Sequence, residues 1–147
     1  MIALIQRVSE AKVVVNNKNI GEITQGVLAF IGIEKNDNQD HVTRLLDKIL
    51  TYRIFADKDD KMNLSVKDIE GGLLLVPQFT LAADTQKGCR PSFSLAAPPA
   101  LSEALFDKFV EQAKKKYKHI ETGQFGADMK ISLLNDGPVT FWLQVNK

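Results

Sequence analysis

A chain of 147 residues that is 44% hydrophobic and 25% charged has the length and make-up of one globular domain, large enough to bury roughly 70% of the surface its unfolded form exposes. Its formal net charge of +1 argues against a broad cationic face that coats nucleic acid, yet leaves room for a local phosphate contact. One cysteine, Cys89, excludes an intrachain disulfide and a thiolate-rich metal centre, so a reducing compartment, the cytoplasm, is the expected location.

The opening stretch Met1 to Arg7 turns polar well before the ~20 apolar residues of a membrane span, so neither export nor a membrane partner is expected. Ile2 to Val8 and Lys12 to Asn16 are rich in β-branched residues and are predicted to form a strand pair. Gly26 to Ile33 is a nearly continuous apolar run, the pattern of a central strand. Asn36-Asp37-Asn38 then supplies capping side chains, and Val42, Leu45, Leu46, Ile49 and Leu50 recur at helical spacing. Tyr52 to Ala56 is predicted as a strand, Asp57 to Lys61 as a solvated turn, and Gly71 to Val76 as a second buried strand.

Lys87 to Pro99, rich in proline and serine, is predicted as loop. Ser102 opens a second helix, with Leu105, Phe106, Phe109, Val110, Ala113 and Tyr117 as its apolar stripe and a lysine run at its C-terminal end. The chain closes with two predicted strands, Met129 to Leu134 and Val139 to Val145, flanking a hairpin turn at Asn135-Asp136-Gly137-Pro138. In the last strand Val139, Phe141, Leu143 and Val145 alternate with Thr140, Trp142 and Gln144, which leaves Trp142 on the outward side as a candidate for a subunit interface. The predicted fold is α+β: residues 1–147 as one domain, two helices over a largely antiparallel sheet system.

Familiar hydrolytic constellations are missing. His41 and His119 lie in no triad-like or zinc-binding pattern and are expected to be surface residues, and Cys89 to be a bystander. There is no phosphate-binding loop and no dinucleotide fingerprint, so neither a metal nor a cofactor is expected. Two segments remain, Pro77-Gln78-Phe79-Thr80-Leu81 and Asn135 to Thr140. On the residues alone the first reads as a strand running into polar residues, and the second as a hairpin turn.

Together with Arg90-Pro91-Ser92-Phe93, these blocks resemble the signature elements of the D-aminoacyl-tRNA deacylase family. The similarity runs from Ile5-Gln6-Arg7-Val8 through Tyr52-Arg53-Ile54-Phe55 and Lys61-Met62-Asn63-Leu64 to the final strand, and so covers essentially the whole chain. It implies a barrel-like fold and a homodimer whose active site lies at the subunit interface. It further implies a cis bond at Gly137-Pro138, reaching into the partner's pocket and braced by Arg7. The implied reaction is hydrolysis of the ester between a D-amino acid and the tRNA 3′ end, with Gln78, Phe79 and Thr80 at the reacting carbonyl and the ribose 2′-hydroxyl assisting. Phe125 and Met129 resemble residues that contact the terminal adenosine, with core packing as the alternative, and Lys87 and Arg90 are candidates to meet phosphate. The family pattern has serine where this chain has Pro77, which lacks both a hydroxyl and an N–H, so no role of that serine carries over. Two rival readings stay open: a module that binds aminoacyl-tRNA without cleaving it, and a simple esterase with Thr80 as nucleophile.

Overall fold

The computed structural model describes residues 1–147. Its frame is a pair of long strands, β1 (Ile2–Val15) and β8 (Lys130–Gln144), which run antiparallel from the Ile2↔Gln144 pair to the Val14↔Lys130 pair. Each was expected to be two strands, and each is one. In β1 the Ser9-Glu10 interruption is a bulge: Val8 faces Asn135 and Glu10 faces Leu134, so one residue is extra. Because strand faces alternate with a period of two, that extra residue changes parity, and Val8 is followed on the inner face by Ala11, Val13 and Val15.

The other edge of β1 is shared. Ile2 to Val8 pair with β3 (Gly26–Gly32), and Ala11 to Val15 pair with β2 (Lys18–Ile23), the true hairpin partner of this region. Beyond β3 the sheet changes sense. β6 (Gly72–Pro77) lies parallel to β3, and β7 (Ile120–Thr122) parallel to β6, so the sheet is mixed. β2 folds over to pack on β6 and β7, which nearly closes the sheet into a barrel. A small apolar cluster of Val8, Ala11, Val13, Val15, Ile23, Leu28, Leu74 and Val76 fills its interior. The predicted strand at Tyr52 to Ala56 shrinks to β4 (Phe55–Ala56), which pairs only with β5 (Met62–Leu64).

Two helices cover the outer face. In α1 (Gln39–Thr51) all five predicted apolar positions are buried, and the Asn38 side chain accepts from the N–H groups of Asp40 and His41. His41 is a correction to the sequence reading. It is 6% exposed, closes the capping box with the Asn38 N–H, and stands 3.0 Å from Asp37 Oδ1. A local cap of this kind contributes about 1 kcal/mol, and the histidine has a structural task there. His119 is exposed, as expected. α2 (Pro99–Lys116) begins at Pro99, ahead of the expected Ser102, because proline's fixed φ suits the first helical position. Its Leu105, Phe106, Phe109 and Ala113 join the main core under α1 and the outer sheet face.

Candidate functional site

β6 ends at Pro77, and the Gln78 N–H donates to the Ile31 carbonyl (2.8 Å), which extends the β3–β6 ladder by one bond. Alternate residues of a parallel strand bond to opposite sides, so Pro77 turns its nitrogen towards β7. There the last bond is already made, by the Gly123 N–H to the Leu75 carbonyl at 2.8 Å. The proline therefore sits where the ladder needs no donor. Phe79–Ala82 then wind into a 3-10 turn instead of continuing as strand. The turn lies hard against the end of β3, where a Cβ on Gly32 would come within 2.8 Å of Leu81 Cβ and 3.2 Å of the Gln78 carbonyl oxygen. The N–H groups of Phe79 and Thr80 open this turn, where no carbonyl within the helix can reach them.

The Gln78 amide nitrogen donates to Thr80 Oγ1. Nothing basic approaches that hydroxyl. Neither histidine lines the adjoining cleft, and its one carboxylate, Asp128, is exposed and held by Lys130 at 3.1 Å. No group of three His, Cys, Asp or Glu side chains is arranged to hold a metal ion.

The cleft beside Gln78 measures about 490 Å³, within the range of ~300–1,000 Å³ common for small-ligand sites. Pro77, Phe79, Phe125, Met129 and Ile131 give it apolar walls. Phe125 and Met129 are half-buried, line the cleft and also pack against the two cores, which is the core-packing alternative read from sequence. Phe79 is 57% exposed and packs on Phe93 with ring centres 5.2 Å apart. That contact places the Asp84–Ser92 loop, closed by paired backbone bonds of 2.7 and 3.0 Å, next to the Gln78 block. Lys87 and Arg90 stand exposed on this loop, outside the cleft and without an ion pair.

The second segment is no hairpin. Between the pairs Gln6↔Thr140 and Val8↔Asn135, residues 136–139 bulge out of β8 opposite Arg7. The Gly137–Pro138 bond is cis, and Gly137 has φ 135°, a conformation side chains resist. Arg7 spans the base of the bulge: Nη1 donates to the Ile54 carbonyl (2.7 Å), Nε donates to the Asp136 carbonyl (3.1 Å) and lies 3.5 Å from Asp136 Oδ2. The Asn135 amide donates to the carbonyls of Arg7 (2.9 Å) and Val139 (3.0 Å), closing the neck. Gly137 and Pro138 are exposed.

Within one chain these two segments do not meet. Gln78 belongs to the β3 side of β1, at the level of Ala3, whereas the bulge projects from the β8 side at Arg7, roughly 13 Å further along the strand. No residue of the bulge lines the cleft. Sequence reasoning missed Gly32 and Ser102. A glycine at the end of an apolar strand is the usual sign of a close backbone approach. Ser102, which lines the cleft while 4% exposed, carries no sequence signal beyond its place at a helix start.

The family model described as D-Tyr-tRNA(Tyr) deacylase matches residues 4–144. A D-aminoacyl-tRNA deacylase of Haemophilus influenzae strain PittEE is 59% identical over 145 residues, spanning 99% of this chain and all of the relative. Its counterpart from Saccharophagus degradans is 60% identical over 143 residues, 97% of this chain and 99% of that one. Among solved structures, the "c-Myc DNA Unwinding Element Binding Protein" superimposes over the full length of both chains with TM-score 0.96 at 38% identity. A probable eukaryotic D-amino acid tRNA deacylase shares the fold, with TM-score 0.86 at 16% identity over 98% of both chains. With the family model spanning nearly the whole chain, and with relatives this similar from end to end, the chain belongs to the D-Tyr-tRNA(Tyr) deacylase family.

Proposed function

We propose that this chain hydrolyses the ester of D-aminoacyl-tRNA in the cytoplasm, as a homodimer in which Gly137 and Pro138 of one subunit enter the cleft of the other. The observation that carries the reading is the separation just described: the Gln78–Thr80 wall and the exposed bulge are both built, yet lie apart on one chain. A second copy supplies the missing half. Trp142, 53% exposed, and Leu134, 57% exposed, are large apolar side chains on the same long strand that such a partner would cover.

The tRNA 3′ end provides the ester. In the cleft, Phe125 and Met129 contact the terminal adenosine, while Lys87 and Arg90 on the adjacent loop meet backbone phosphate. Water attacks the ester carbonyl and puts negative charge on its oxygen, and the N–H groups of Phe79 and Thr80 with the Gln78 amide are the donors on hand to stabilise it. Collapse breaks the bond to the ribose 3′ oxygen, which takes up a proton and leaves as the tRNA hydroxyl, freeing the D-amino acid. Thr80 lacks an activating base and already accepts a bond from Gln78, so it positions, and the ribose 2′-hydroxyl assists the chemistry. The carbonyl oxygens of Gly137 and Pro138 hold the substrate ammonium. An L side chain then points into the bulge and clashes, whereas a D side chain points away, so selection works by rejecting L. Glycine has no side chain to reject, and Gly-tRNA is also cleaved.

Time courses on matched D-Tyr-tRNA and L-Tyr-tRNA test the reading, with hydrolysis of the D form alone expected. Rapid hydrolysis of the L form contradicts it. Thr80→Ala retains substantial turnover, while a tRNA ending in 2′-deoxyadenosine loses on the order of 10²-fold. A trapped acyl-enzyme on Thr80 would point instead to a nucleophilic esterase.

A further inference from the structure

The cleft offers three polar side chains, Gln78, Asp128 and Ser102. Gln78 gives one amide N–H to Thr80 and keeps the other for the ester oxygen, and Asp128 sits at the exposed rim paired with Lys130. The third is Ser102. It is 4% exposed and lines both the main cleft and the smaller cavity that continues from it between Gln78, Phe79 and Phe125. Its hydroxyl hydrogen is committed, because Oγ donates to the Ala97 carbonyl at 3.3 Å. A serine oxygen so engaged keeps two lone pairs, and the structure supplies no donor for them. The group cannot drift. Pro98 and Pro99 stiffen the entry to α2, and the Ser102 N–H is tied to the Pro98 carbonyl at 2.9 Å.

We propose that Ser102 is a substrate-binding residue: its Oγ accepts a hydrogen bond from the exocyclic amino group of the adenine that ends the tRNA. This rests on the reading that the 3′ adenosine occupies the cleft. Apolar walls of the kind formed by Pro77, Phe79 and Phe125 attract any base through stacking and do not tell bases apart. An acceptor fixed in that wall does. Adenine presents an N–H₂ donor there, whereas guanine presents a carbonyl oxygen, which the serine oxygen meets as a second acceptor for as long as its hydroxyl keeps the bond to Ala97. Ser102 thereby favours adenine over guanine at the terminal position, while the Gln78 block sets the chemistry.

The test uses the full-length protein and D-Tyr-tRNA carrying either adenosine or purine riboside, which lacks the amino group, at its 3′ end. For the wild type, KM is expected to be about fivefold lower with adenosine, the worth of one ordinary hydrogen bond, with kcat unchanged. Ser102→Ala raises KM for the adenosine end by about the same fivefold and leaves the purine riboside end unaffected. An equal rise with both ends assigns Ser102 to helix structure alone and overturns the proposal. So does a wild type that treats the two ends alike, a comparison that needs no variant to fold. If neither end is deacylated, the proposed reaction falls and takes this inference with it; turnover without coupling between residue 102 and the amino group removes this inference only.

Discussion

The two halves of the proposed site are built on opposite physical plans. The Gln78–Thr80 wall leans on the core: Val76 before it is fully buried, the turn rests on β3, and its closeness depends on the missing side chain of Gly32. In the Asn135–Val139 bulge Asp136, Gly137 and Pro138 stand in solvent; polar contacts of Arg7 and Asn135 tie it, and only Val139 at its base packs against the core. A wall backed by packed side chains gains its position from burial and tolerates almost no added volume. A bulge tied by three hydrogen bonds gains its position from donors placed against otherwise unpaired carbonyls, and loses it when a donor is removed. Sites assembled across subunits need both kinds: a fixed cleft, and an element exposed enough to enter another molecule.

The largest expected effect comes from overfilling the wall. Gly32→Val drives carbon against Leu81 Cβ and the Gln78 oxygen, and a shift near 1 Å in groups that position a reaction costs on the order of 10²-fold in kcat. Circular dichroism checks that the fold survives, and single-turnover deacylation reads the loss. A variant with normal kcat would show that the wall is not held as described. Next in size is Arg7→Met, which removes two polar contacts to Asp136 of the bulge and the bond to the Ile54 carbonyl that anchors the guanidinium, while keeping much of the side-chain volume. About a tenfold loss of activity on D-Tyr-tRNA is expected, with the charged hydrogen bonds each worth roughly 1.5–3 kcal/mol. Unlike Gly32→Val, it should also raise the fraction of L-Tyr-tRNA cleaved.

Asn135→Asp is milder. It replaces an amide that donates to two carbonyls with a carboxylate that repels both, and thermal unfolding should register a loss of about 1–2 kcal/mol. Activity should fall a few-fold, again with weakened rejection of L. The smallest effect is a control remote from both halves. Asp68 is held below its ordinary carboxylate value of 3.8, first by the Ser65 N–H and then by the Ser65 hydroxyl. A depressed carboxyl stabilises the fold above its unfolded value, and that contribution disappears as pH falls through the folded one. The small stability gap between wild type and Asp68→Asn is therefore present at neutral pH and closes below about pH 4, with deacylation at neutral pH unchanged.

The comparison also explains what could be read from sequence. The wall's surroundings were legible because burial writes periodicity into the chain: β3, β6 and both helices lie where apolar spacing put them. The bulge was misread because Asn-Asp-Gly-Pro carries the residues of a tight turn, and local chemistry cannot distinguish a chain that reverses from one that swells and continues. The same limit split β1 at Ser9-Glu10. β2 and β7 escaped notice for another reason. Lys18-Asn19-Ile20 and Ile120-Glu121-Thr122 have too few apolar residues to show alternation, and they become strands only through their neighbours. Motif residues could be named from resemblance, but their separation on one chain is a three-dimensional fact that no spacing in the sequence contains.

That separation is the central claim, and subunit mixing tests it most directly. Gly32→Val disables the wall and leaves the bulge intact, while Gly137→Ala places a Cβ 2.7 Å from Val139 Cγ2 and 3.1 Å from Arg7 Nη2, disabling the bulge and leaving the wall. Each homodimer is expected to be nearly inactive on D-Tyr-tRNA. Co-expressed with different tags and purified as the mixed dimer, the pair should recover one working site, with about half the wild-type rate per dimer as independent sites would give. A mixed dimer as inactive as its parents would place wall and bulge in the same site of one chain and contradict the account.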